Sequence, residues 1–219
     1  MSSRVIAACD GACLNNPGPA GWGWVIADSQ ERVARWACGP LGDATNNIAE
    51  LSALKELLSE LDPGTELEVR MDSKYAMDAV TTWLPNWKAN GWQTASKKPV
   101  ANRDIIVAID ALLAGRTVKF VHVPAHRVHG DVLNALADRA ASAAATSQRP
   151  ASGTSTDGIP EAADEIPSRR RTASRKTSAP AGIAAKFPGV CRCGMKYRPG
   201  DKIIKGADGK WGHPECAAT

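Results

Sequence analysis

The sequence predicts an α/β fold, a five-stranded mixed sheet flanked by helices, followed by a disordered linker and a small C-terminal metal-binding module. Three observations carry this reading. Segments with strand and helix periodicity follow one another as three strands, helix, strand, helix, a basic Trp-rich insertion, helix, strand and helix. Two of the strands end in an Asp that opens the next segment. From residue 146 apolar periodicity stops and Ser, Thr, Ala, Pro and Gly take over, until a short piece carrying three Cys and a His closes the chain. The predicted boundaries are therefore 1–145, 146–184 and 185–219.

The first strand is the apolar run at residues 5–9 (VIAAC), with Asp10-Gly11 at its end. Asp-Gly often simply begins a turn, so Asp10 alone decides nothing. Residues 21–27 and 31–38 read as two more short strands, joined by polar connections that suit an antiparallel meander. The next stretch, TNNIAELSALKELLSEL, repeats Ile48, Leu51, Leu54, Leu57, Leu58 and Leu61 at helical spacing until Asp62-Pro63-Gly64 stops it. Glu50 lies along that apolar stripe, where a charge is costly unless it is paired or binds a metal. A capping carboxylate is the plainer alternative.

Residues 66–72 (ELEVRMD) alternate, with Leu67, Val69 and Met71 facing one way, and end in Asp72 before a helix predicted at 73–84. Residues 83–103 hold three of the seven Trp and four basic residues (Lys88, Lys97, Lys98, Arg103) but no acid, a composition suited to a phosphate backbone. An amphipathic segment whose Trp residues pack on the body is the competing reading. A helix at 104–113, a fifth strand at 117–123 and a helix from about residue 131 to 145 complete the domain. Between the last two lie His126 and His129, candidates for proton transfer or product release. The last helix carries Asp138 on one flank.

The formal charge of +4 is mild, so where the positive charge sits matters more than its total. No run is long enough to span a bilayer and the N-terminus lacks the apolar core of a signal peptide, so a cytoplasmic location and no membrane partner are expected. A monomer is expected as well. The six cysteines fall three in the first part and three at the end, which is unlike a disulfide framework. Asp10, Glu50, Asp72 and Asp138 can converge at one end of a mixed sheet if the first and fourth strands are neighbours. Such hard oxygen ligands suit Mg²⁺ or Mn²⁺, and two ions about 4 Å apart would clamp an in-line phosphoryl displacement.

The stretches CDGACLNNPGPAGWGWVI, TNNIAEL, MDSKYAMDAV, WLPNWKANGWQTASKKPVANRD and NALADRAA resemble type 1 ribonuclease H across its whole catalytic domain. The resemblance implies an endonuclease that hydrolyses the RNA strand of RNA/DNA hybrids, leaving 3′-hydroxyl and 5′-phosphate ends. Asp10, Glu50, Asp72 and Asp138 match the family's four metal-binding carboxylates. Asn16, Asn46 and Asn47 match groove-contacting positions, Thr45 a residue near a DNA phosphate, and Trp83 the aromatic that packs on the DNA strand. The insertion with Lys97 and Lys98 is similar to the family's basic handle, and the context VHVPAH assigns the loop histidine to His126. Two alternatives stay open: a related-fold DNA nuclease, or a hybrid-binding module without catalysis, which would be expected to have lost a carboxylate.

Cys191, Cys193, His213 and Cys216 in the last piece form a candidate Cys₃His zinc set, with unligated thiols or a disulfide as the alternatives. The pattern resembles zinc-ribbon-like modules ending in W-x-H-x-x-C. Such a module would serve accessory recognition of nucleic acid or a protein, on a tether.

Overall fold

A computed structural model describes residues 4–125, 130–161, 183–191, 193–205 and 211–216. The chain divides into two compact units, Met1–Ile166 and Pro167–Thr219.

In the first unit β1 (Val5–Cys13), β2 (Gly18–Ala27) and β3 (Val33–Ala44) form an antiparallel meander, and α1 (Asn46–Glu60) leads to β4 (Leu67–Met71). Beyond β4 come α2 (Lys74–Asp78), a π-helical turn (Ala79–Trp83), α3 (Leu84–Ala89), α4 (Arg103–Leu113), β5 (Val118–His122), α5 (Val132–Ser147) and β6 (Ala151–Gly153). The sheet order is β5-β4-β1-β2-β3-β6, with β4 parallel to β1 and β5 parallel to β4. No helix among the described residues is long and apolar enough to cross a membrane.

The uninterrupted apolar run of β1 follows from its central place, since both faces of the strand are covered. Ala7 and Cys9 point into a core shared with Leu67, Val69 and Met71 of β4, Leu51, Leu54, Leu57 and Leu58 of α1, and Ile106 and Ile109 of α4. Ile6 and Ala8 point the other way, toward Leu133, Ala137, Ala140 and Ala144 of α5. The period-2 reading of residues 66–72 thus corresponds to one buried face.

Three departures from the sequence reading have physical causes. The sheet has six strands rather than five: β6 pairs with Trp36, Ala37 and Cys38 of β3 and lies inside the segment expected to be linker. The indole of Trp36 fixes it there, its Nε1 donating to the Ser155 carbonyl at 2.9 Å. Residues 162–182 of that segment lie outside the described residues. The helix expected at 73–84 widens into the π-turn and continues to Ala89; Pro85 lacks the N–H that the Thr81 carbonyl would need. Finally, β1 runs through Asp10-Gly11 instead of turning, because antiparallel pairing with β2 continues from Asp10↔Gly23 to Cys13↔Ala20.

Candidate active site

The register of the sheet brings two carboxylates together. The parallel pairing of β1 with β4 ends at Ala8↔Arg70, so two residues further Asp10 faces the position of Asp72, just beyond the last rung. Asp10 stays in strand geometry through β2, while Asp72 emerges from β4 ahead of Ser73, whose side chain caps α2 by accepting from Ala76 N at 3.3 Å.

Glu50 comes from the first turns of α1. Thr45 caps this helix, its Oγ1 accepting from Ile48 N at 3.3 Å. Gly11 lets the helix come this close: a Cβ there would lie 2.2 Å from Glu50 N and 2.3 Å from the Ala49 carbonyl carbon. The Gly11 N–H joins both side chains, donating to Asp10 Oδ1 at 2.8 Å and Glu50 Oε2 at 3.2 Å. Asn46 Nδ2 donates to the other oxygen, Oε1, of Glu50 at 3.4 Å, and Asn16 Oδ1 accepts from Asn46 N at 3.1 Å.

The outcome is a cluster in which one oxygen each of Asp10, Glu50 and Asp72 lies within 4.8 Å of the others. Asp10 and Glu50 are buried. Burial, and then the neighbouring charges of Glu50, Asp72 and Asp138, push the Asp10 carboxyl up to about 9. Burial, with Asp72 next, pushes Glu50 up to about 8. Among the described residues no Lys or Arg forms an ion pair with any of the three. Hard oxygens and converging negative charge, with no ion pair to neutralise it among the described residues, are what a divalent metal ion fits.

Asp138 stands outside this group of three, though its charge is felt by Asp10 and Glu50. It rides on α5, which lies directly on β2: a Cβ at Gly23 would come within 2.6 Å of Ala137 O and Ala141 N. Ser142 Oγ donates to Asp138 Oδ1 at 3.4 Å. His126 and His129 fall outside the described residues.

The other expected contact residues are also placed. Asn16, Asn46 and Asn47 are exposed. Trp83 is half-buried, with its ring 5.5 Å from that of Trp87 and 5.9 Å from that of Tyr75. Lys97 and Lys98 are exposed on the loop between α3 and α4, which is closed by Lys97 N donating to Thr94 O at 2.8 Å.

Sequence reasoning missed two contributors. One is Gly11, hidden because Asp-Gly reads as a turn. The other is His122, whose Nε2 lies 3.1 Å from the Asp72 carbonyl oxygen; the alternation of β5 marks it only as a strand residue.

In the second unit, Cys191, Cys193, His213 and Cys216 each direct one ligand atom into a group in which all lie within 4.8 Å of one another.

A mixed sheet with hard-oxygen ligands gathered where its central parallel strands end defines a metal-dependent phosphoryl-transfer enzyme. The sequence profile of the RNase H family matches residues 2–146, and the chain belongs to that family. It is 56% identical to Ribonuclease HI of Streptomyces coelicolor over 99% of this chain and 97% of that protein. Among solved structures it is similar to the N-terminal RNase H domain of rv2228c from Mycobacterium tuberculosis, a fusion with maltose-binding protein. That match has 29% identity and a TM-score of 0.53, covering 67% of this chain and 96% of the other. The fold is also shared with LC9-RNase H1, a type 1 RNase H with the type 2 active-site motif, at 22% identity and a TM-score of 0.62, covering 71% and 79% of the two chains. The family uses divalent metal ions.

Proposed function

We propose that this protein is an endoribonuclease that hydrolyses the RNA strand of RNA/DNA hybrids, leaving 3′-hydroxyl and 5′-phosphate ends. The observation that carries the proposal is the cluster of Asp10, Glu50 and Asp72 within 4.8 Å, in a chain of the RNase H family. Asp10, Glu50 and Asp72 hold the ions and Asp138 completes the set from α5; this hard-oxygen donor set calls for Mg²⁺ or Mn²⁺, two in the active complex. When bound, these ions neutralise the charge of the scissile phosphate and supply a nucleophile at neutral pH.

The protein's own groups do the rest. The Gly11 N–H and Asn46 Nδ2 orient the two buried carboxylates before substrate arrives. Asn16, Asn46 and Asn47 form an exposed polar rim suited to the minor groove, where the 2′-hydroxyl distinguishes the strand to be cut. Thr45 at the tip of α1 suits a DNA phosphate. Trp83 offers a ring edge to the DNA strand, and Lys97 and Lys98 bring positive charge to the backbone. His126 is assigned to proton transfer or product departure. The catalytic unit is read as extending past residue 145 to include β6. A soft-ligand set such as that of the C-terminal unit suits Zn²⁺ instead.

The test is cleavage of a labelled RNA/DNA hybrid in Mg²⁺ beside RNA, DNA and duplex RNA controls. Cleavage of the RNA strand of the hybrid alone is expected. Asp10→Asn and Asp72→Asn should each abolish it while hybrid binding in Ca²⁺ survives. Turnover near wild type in either variant would retire the assignment, and preferential cleavage of DNA would favour a related-fold DNA nuclease.

A further inference from the structure

The second unit poses a problem of stability. Its described residues bury only Ala185, Cys191, Ile203 and Ile204 as apolar groups, while Phe187, Val190, Met195 and Trp211 are exposed. Its strands are short: two-stranded β8 (Gly189–Val190) with β9 (Lys196–Tyr197), and three-stranded β11 (Trp211–Gly212), β10 (Lys202–Lys205) and β7 (Ile183–Ala184). A core of two isoleucines and an alanine does not offset the conformational entropy of ordering such a chain. All six cysteines are free thiols, so no disulfide supplies the missing constraint.

What joins the two small sheets is the cluster of soft ligands. Cys191 and Cys193 sit in the turn that links β8 to β9, which is tied by Gly194 N donating to Cys191 O at 2.9 Å and Cys191 N to Met195 O at 2.8 Å. His213 precedes and Cys216 ends a short 3₁₀ turn after β11 (Pro214–Cys216), in which Cys216 N donates to His213 O at 2.9 Å. The two turns meet: the His213 N–H donates to Cys191 Sγ at 3.3 Å, and Cys193 Sγ lies 3.6 Å from His213 Nδ1. Gly212 leaves room for the sulfur, since a Cβ there would lie 2.7 Å from Cys191 Sγ. Backbone N–H groups aimed at a sulfur stabilise a thiolate, the form that binds metal.

We propose that Cys191, Cys193, His213 and Cys216 form a closed tetrahedral Zn²⁺ site that holds the C-terminal unit together. Three thiolates and one imidazole fill all four positions, leaving no open coordination site for catalysis, so the ion is structural. A Cys₃His set also separates this centre from the carboxylates, which favour small hard cations. The proposal is independent of the nuclease reading and can stand or fall without it.

The experiment uses the full-length chain, purified without chelator, and measures zinc by atomic spectroscopy. About one equivalent per chain is expected in the wild type and in Asp10→Asn, and less than about a tenth in a Cys193→Ser/Cys216→Ser double variant. Growth with Co²⁺ should give the wild type the visible bands and thiolate charge-transfer absorption of a tetrahedral site, both absent from the double variant. Because the C-terminal unit of that variant is expected to unfold, an unchanged cooperative thermal melt of the first unit, followed by circular dichroism, serves as the check that the rest of the chain is intact. Wild-type zinc below about half an equivalent, zinc retained by the double variant, or a native mass showing a disulfide among these cysteines would each overturn the proposal.

Discussion

At the scale of the residue, gathering Asp10, Glu50 and Asp72 costs the metal-free fold stability, and the cost depends on pH. The folded-state values of Asp10 and Glu50 are raised to about 9 and about 8, first by burial and then by neighbouring carboxylates. The folded protein therefore binds more protons than the unfolded chain between the ordinary carboxyl range and those values. The stability contributed by the protonated groups is fully present below the unfolded values and is lost as pH rises through the folded ones. Glu68 acts in the opposite sense: burial raises it, but Lys119, Arg70 and Arg4 together hold it below its ordinary value, so its contribution is lost on acidification instead. Without metal, the unfolding temperature should fall by at least about 5 °C between pH 5 and 9, and millimolar Mg²⁺ should flatten that slope. Asp10→Asn should flatten it as well. Thermal melts in chelator and in Mg²⁺ check this, and an unchanged slope in Asp10→Asn would count against it. Asp10 and Asp72 were legible as strand-ending acids and Glu50 as a charge intruding on an apolar stripe. Gly11 was not legible, because its role depends on how closely α1 approaches β1, a tertiary fact with no local signature.

At the scale of the element, the basic insertion separates into engaged and available charge. Lys88 Nζ donates to Asp110 Oδ2 at 2.8 Å, and the Arg103 guanidinium lies 5.6 Å from the Trp92 ring. Lys97 and Lys98 form no ion pair among the described residues, and the turn that presents them holds Lys97 at a φ of 58°. Lys97→Ala with Lys98→Ala should therefore weaken hybrid binding and reduce the log–log salt slope by about one to two, whereas Lys88→Ala should change it less. Titrations in Ca²⁺ at several salt concentrations measure the slope, and an unchanged slope in the double variant would remove this loop from the binding surface. The sequence made the insertion visible through its Trp and Lys content. The π-turn was hidden, because residues 73–84 are periodic enough to read as one helix and the disturbance comes from Pro85, one residue beyond. Strand lengths were underestimated for a similar reason: the third strand was expected at 31–38, before a stretch with Gly and Pro, yet β3 continues because β2 supplies a partner as far as Gly18↔Ala44.

At the scale of the whole molecule, the composition change near residue 146 was plain in the sequence, but the sheet gains a further strand beyond it. Residues 151–153 are too short and too small in side chain to signal a strand. They are held by Trp36, by Ile159, which joins the core under α5, and by Arg139 Nη2 donating to the Thr156 carbonyl at 2.7 Å. A chain ending at residue 161 should therefore melt higher than one ending at 146 and cleave hybrid at a rate close to the full-length protein. Equal melting temperatures would show that β6 adds nothing. The same short strand has a consequence for behaviour at high concentration. Without β6, the backbone of β3 at Trp36–Cys38 would present unpaired donors and acceptors beside a bared indole, a template on which a second copy could dock edge to edge. Three residues of alanine, serine and glycine thus act as a guard against self-association, and light scattering of the two truncated chains over a concentration series would reveal it as clumping of the shorter one alone.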